Sequence, residues 1–202
     1  MISSGEKIKF REILADSFGG IVYRILKWLS NNLLKVILIL AVIVIAFVAL
    51  GQLIKPFFFI AIFLILSSIS LIYNRWVKTS IGIEFITLST VMTARVYGGV
   101  VGGLVGLAGL TAAEVLGTGF NAKTVISLVG IFILGLITPF FNGFNVTMAG
   151  IILAALYDAF IIPLYLLAGS RPLSSAIFVV SHLIFNAWLF VYIAPFLESV
   201  MV

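Results

Sequence analysis

The chain contains no cysteine, one histidine, five prolines and seven acidic residues among 202. The missing cysteine excludes disulfides, thiolate metal sites and thiol nucleophiles together. One histidine is too few for an imidazole-based metal site, and neither His-Glu-x-x-His nor Gly-x-Ser-x-Gly occurs. Ser181 and His182 are neighbours on one helix and point in different directions, so they do not make a nucleophile and its base. The sequence therefore predicts no catalytic residues, no metal and no cofactor. Charge is scarce too, at 9% of residues, with a net +5. No groove-reading motif accompanies that basic excess, which excludes a nucleic-acid partner and leaves topology and lipid contact as its work.

What is abundant is apolar. Hydrophobic residues make up 63% of the chain and the mean hydropathy is +1.31, well outside the range of a soluble domain. The expected class is an all-α integral membrane protein of the cell membrane. It would be a bundle of six to seven transmembrane helices preceded by an amphipathic interfacial helix.

That helix belongs to a basic arm over 1–33. Lys7, Lys9, Arg11, Arg24 and Lys27 alternate there with Phe10, Ile13, Leu14, Phe18, Ile21, Val22, Ile25 and Leu29 at helical spacing. Such a segment lies on anionic lipids of the cytoplasmic leaflet, with Trp28 at the headgroups and Gly19-Gly20 as the point where the helix would split. The alternative is a solvated arm. Acids as well as bases precede the first apolar run, so no cleavable signal is expected.

Residues 34–202 read as one transmembrane domain, with spans at 34–52, 56–73, 81–97, 99–117, 124–141, 146–169 and 174–197. A single helix over 81–117 would be about 55 Å long, against a hydrocarbon core of about 30 Å. Two short spans fit better, as does a re-entrant hairpin whose turn is surrounded by protein. With seven spans and the N-terminus inside, Lys35, Arg75, Lys78, Lys123 and Arg171 join the arm in the cytoplasm, and only Lys55 and Arg95 lie outside.

The stretch 94–117, ARVYGGVVGGLVGLAGLTAAEVLG, places Gly98, Gly102 and Gly106 four apart and Gly99 and Gly103 beside them. Glycines at that spacing let a second backbone approach closely, so they predict a helix-packing seam. A pore lining or a backbone next to substrate is the other reading. The stretch is no phosphate loop, since no Gly-Lys-Ser/Thr follows it.

The segment IGIEFITLSTVMTARVYGGVVGGLVG resembles the second and third helices of energy-coupling-factor (ECF) transporter S-components, and also MreD of rod-shape complexes. Those families carry an aromatic-Gly-Pro turn leading into Gly-x-x-x-Gly. Here Tyr97, Gly98, Gly102 and Gly106 match, and Gly99 stands where the proline would be. The likeness covers about 56–197, with the arm and first span as an addition. It implies either a solute-binding or transport subunit that associates with a coupling subunit, or a non-transporting scaffold that binds other membrane proteins.

Ionisable residues within spans are costly and mark function by default. They are Glu84, Arg95, Glu114, Asp158 and His182. His182 and Asn186 share one helix face, and that face meets Asp158 if the last two spans pack antiparallel. An Asp158–His182–Asn186 polar cluster is therefore expected. It would be an interhelical hydrogen-bond set, a coordination site for substrate or cation, or a proton relay. Glu84 and Glu114 lie at similar distances from the Gly98-Gly99 turn, which predicts two hydrated carboxylates near one interface. Arg95, at the opposite end, is expected to snorkel to headgroups or to contact an anionic ligand. Thr87, Ser89, Thr90 and Thr93 bond back to their own helix or line a polar cavity. The expected partners are the bilayer, anionic lipids on the arm, a coupling subunit or second copy of the chain, and a small-molecule solute.

Overall fold

The structure, a computed structural model, describes residues 32, 34–39, 42, 51–77, 81–117 and 119–202. The expected interfacial helix over 1–33 and most of the first span lie outside the described residues. Two compact units divide the chain, Met1–Gln52 and Leu53–Val202. In the first, residues 32, 34–39 and 42 are helical.

The second unit, which includes the first helix from Leu53 onward, is built of helices, with no strand among the described residues. In chain order they are α1 (Gly51–Ile69), α2 (Ile86–Tyr97), α3 (Gly99–Leu116), α4 (Ala122–Ile137), α5 (Val146–Leu167), α6 (Pro172–Tyr192) and α7 (Ala194–Met201). Short 3-10 turns extend α1 at Ile72–Arg75 and α4 at Thr138–Phe141. Five segments are long and apolar enough to cross a membrane: Ile54–Arg75, Gly99–Leu116, Ala122–Phe141, Val146–Leu167 and Pro172–Tyr192. The protein is therefore membrane-embedded and polytopic.

Local chemistry sets several boundaries. Asn121 caps α4 by accepting from the Lys123 and Thr124 amides, and Thr124 returns the bond to the Asn121 amide. Asn145 caps α5 through the Met148 amide. Pro172 opens α6, where its missing N–H is no loss. Gly98 separates α2 from α3 with φ +102°, a conformation that side-chain-bearing residues rarely adopt. The last apolar run does not continue to 197 as the sequence suggests. It stops at Tyr192, and Pro195 lies in the first turn of α7.

The third expected span, 81–97, differs most from the structure. Its helix has only 12 residues, about 18 Å, too short to cross a core of about 30 Å. All nine residues from Ile86 to Ala94 are buried. α2 touches α3, α4, α5, α6 and α7 and so forms the axis of the unit. Its hydroxyls avoid lipid for the same reason: Thr90 bonds the Ile86 carbonyl at 2.7 Å, and Ser89 meets Ser67 of α1 at 3.1 Å. A half-length helix led by non-helical backbone is tolerated at membrane depth only when protein surrounds it.

The glycines make that enclosure possible. A Cβ on Gly102 would overlap Ala94 of α2, and one on Gly106 would overlap Thr90. Farther along α3, a Cβ on Gly109 would lie 2.6 Å from Ser67 of α1. On the neighbouring face Gly99 would meet the Gly135 carbonyl at 3.0 Å, and Gly103 the Phe132 ring at 2.8 Å. The seam thus packs α3 against α2, α1 and α4 within this one chain, but Gly98, expected in it, is the turn between α2 and α3, where a Cβ would meet nothing within 4 Å.

Candidate functional site

The short lead into α2 carries the site. Residues 81–85 run without regular structure beside α6, and Gly82 lies directly on the backbone of His182, where no side chain would fit. The Gly82 amide donates to Ser181 Oγ at 2.8 Å. This docking places Glu84 at the open N-terminal end of α2. Its carboxylate accepts from the Ile86 amide and, at 2.9 Å, from the Thr87 amide. Phe85, the residue at the cap position, offers no side-chain bond, so Glu84 supplies both the missing acceptor and the negative charge that a helix N-terminus favours.

His182 sits between two carboxylates. Its Nε2 is 3.0 Å from Glu84 Oε1, and its Nδ1 is 2.9 Å from Asp158 Oδ1 and 3.0 Å from Oδ2. The three residues are 0% (His182), 6% (Glu84) and 3% (Asp158) exposed. A neutral imidazole has one N–H and one lone pair, so it satisfies one carboxylate and presents a lone pair to the other. The imidazolium donates to both, and that form suits this geometry. The Phe178 ring stacks on the imidazole at 5.3 Å and 12°, and the Tyr157 ring lies tilted 5.8 Å away.

A cavity of about 310 Å³ leads to this bridge. Asn74, Val77, Asn121, Lys123 and Ser170, at the ends of α1, α4 and α5, line one end of it. Glu84, Thr87 and His182 line its depth. Asp158 stands behind the imidazole and does not line the cavity. The volume lies at the small end of the range for small-molecule pockets. No group of three histidine, cysteine or acidic side chains is placed to hold a metal ion among the described residues. The imidazole separates the two carboxylates instead of sharing a focus with them.

Measured against the sequence, the structure joins Asp158 and His182 but places Asn186 differently. Its Nδ2 donates to the His182 carbonyl at 3.1 Å, one turn back on the same helix, and does not reach Asp158. Arg95 is no part of this cluster. It binds Glu198 of α7 at 2.5 Å and the carbonyls of Phe141 and Phe144 at 3.3 and 2.8 Å. The anionic partner expected for it is thus this chain's own carboxylate. Glu84, expected to be hydrated at an interface, is buried instead, because the lead into α2 dips inward to reach α6. Gly82 and Glu198 carried no signal that sequence reasoning used.

No family model, no characterised protein sequence and no solved structure matches this chain.

Proposed function

We propose that this protein is a membrane-embedded solute-binding or transport subunit of the cell membrane, functionally akin to the ECF S-components its glycine segment resembles. The observation that carries the reading is a cavity that runs from the helix ends to a buried Glu84–His182–Asp158 bridge, where ionisable groups persist far from bulk water. In this reading the chain crosses the bilayer six or seven times, the apolar run 34–52 and the α2 hairpin arm being added to the five long helices. The alternative, a scaffold resembling MreD, would bind other membrane proteins through the glycine seam and the basic arm. Packing of α1, α2 and α4 on that seam weighs for the solute-binding reading.

The test is native mass spectrometry of the full chain purified in lipid nanodiscs, compared with a Ser174→Trp variant that fills the cavity. A small-molecule adduct present in the first and lost from an equally well folded second supports the reading. Identical spectra without small-molecule adducts, accompanied by copurified membrane proteins, overturn it in favour of the scaffold.

A further inference from the structure

The geometry points to the His182 bridge as a proton-binding site that controls the floor of the cavity. The proton taken up at Nε2 ties Glu84, at the N-terminal end of α2, to α6, and its release lets that floor part. This inference rests on the reading of the cavity as a solute site.

Three separate elements meet at one ring. Asp158 comes from α5, His182 from α6, and Glu84 from the lead into α2. With the ring doubly protonated, each carboxylate accepts one N–H. Loss of the Nε2 proton leaves a lone pair 3.0 Å from Glu84 Oε1, two electron-rich groups facing each other, while the Thr87 hydroxyl, 3.2 Å from Nε2, can donate to that lone pair. The Nδ1–H continues to serve Asp158. Glu84 keeps its amide bonds to α2 and the Thr87 hydroxyl keeps its contact with the ring, so the contact that fails is the one between Glu84 and His182, which holds the lead against α6. The bond from the Gly82 amide to Ser181 Oγ then remains the only hydrogen bond described between residues 81–85 and α6.

Among the described residues, no lysine or arginine stands at the floor. The titratable and charged groups that face this region are Glu84 from the lead, Asp158, Tyr157 and Tyr165 from α5, Glu114 from α3, Lys123 from α4, and Tyr73 of the 3-10 turn after α1, whose hydroxyl bonds the Ile81 carbonyl. Among the described residues that line the cavity, Lys123 is the only lysine or arginine, and it lies at the helix-end side. The route for the proton is also on the cavity side. Glu84 and Thr87 line the cavity and both reach Nε2, at 3.0 and 3.2 Å, while Asp158 approaches from behind.

His182 is the sole histidine, so solid-state NMR of full-length protein with labelled histidine, held in lipid bilayers, reports this one ring. Both ring nitrogens should carry protons at one end of the pH range in which the chain stays folded, and Nε2 should be bare at the other. In Glu84→Gln and in Asp158→Asn the pH of that loss should differ from that of the wild type by about one unit or more, since each change removes one charge beside the ring. A thiol placed by Ser174→Cys, in a chain with no cysteine of its own, then reads the cavity. Its labelling rate, divided by that of the same thiol in a His182→Gln background, should step several-fold across the pH range of the ring's titration. A ring with a single protonated nitrogen at every pH at which the wild-type chain stays folded overturns the proposal. So does a labelled thiol whose rate ratio is flat. A thiol that never reacts, while one at Asn142 does, removes the cavity reading itself and the floor with it.

Discussion

Gly82 lies so close to His182 that a Cβ at position 82 would come within 2.7 Å of the histidine's backbone nitrogen and α-carbon. The backbone of Gly82 is not in the left-handed region, so the requirement for glycine is steric. Gly82→Ala must push the lead off α6 and with it Glu84 off the imidazole. The neighbouring atoms are helix backbone and cannot yield, so destabilisation should fall toward the upper part of the roughly 1–3 kcal/mol typical of overpacking. Gly143→Ala is the control: nothing lies within 4 Å of a Cβ there, and the change should be neutral or slightly stabilising. Thermal unfolding in nanodiscs compares the two, and equal melting temperatures would refute the close approach.

A second prediction concerns the seam on α3. Gly102→Leu or Gly106→Leu should separate α3 from α2 and lower folded yield sharply, because the facing groups are Ala94 and Thr90 of a fully enclosed helix. Leu104 is 54% exposed on the same helix, and Leu104→Phe should leave yield unchanged. Detergent stability measured across the three variants checks the contrast. Since the seam is internal, the glycine changes should act on the isolated chain and need no partner for their effect.

The periodicity and spacing of the sequence made these glycines legible, and the five long helices too, since both signals are local and strongly patterned. The polar cluster was legible only in part. Asp158 and His182 stand on consecutive antiparallel helices at similar depth, so pairing them needs no knowledge of the rest. Glu84 belongs to the same cluster through a non-helical lead, and apolar periodicity carries no information about where such a lead goes. The one available signal was the polar density of Thr87, Ser89, Thr90 and Thr93, more than a lipid-facing helix carries, which marks α2 as interior. The Arg95–Glu198 pair depended on the break after Tyr192, which turns α7 back toward the end of α2.

That pair supplies a third prediction. Arg95 joins three elements, since its guanidinium binds Glu198, the Phe141 carbonyl and the Phe144 carbonyl. Arg95→Gln removes donors from all three, whereas Glu198→Gln keeps an acceptor oxygen and the two carbonyl bonds. The arginine change should cost about 1.5–3 kcal/mol, the usual range for bonds to a charged group, and the glutamate change less. A double-mutant cycle read by unfolding in lipid separates the ion pair from the carbonyl contacts. Equal effects of the two single changes would mean that the carbonyl bonds contribute nothing.

The last prediction is topology, and it follows from which residues share an end of the unit. Asn74, Asn121 and Ser170 line one cavity mouth, so the turns after α1, α3 and α5 open on one side of the membrane. Arg95 gathers Phe141, Phe144 and Glu198 at the opposite end, which places the α4–α5 turn and α7 together on the other side. Arg75, Lys123 and Arg171 flank the mouth turns, while Lys55 stands near the start of α1 and Arg95 is neutralised by Glu198. The bias toward cytoplasmic lysine and arginine then puts the mouth in the cytoplasm and α7 outside. Single cysteines at Asn121 and Ser170 should react with a membrane-impermeant thiol reagent only after cells are permeabilised, and those at Asn142 and Val202 without it. The reverse pattern would invert the protein in the membrane and turn the cavity outward. Reaction of Asn121 and Asn142 from the same side would contradict the arrangement of α4 itself.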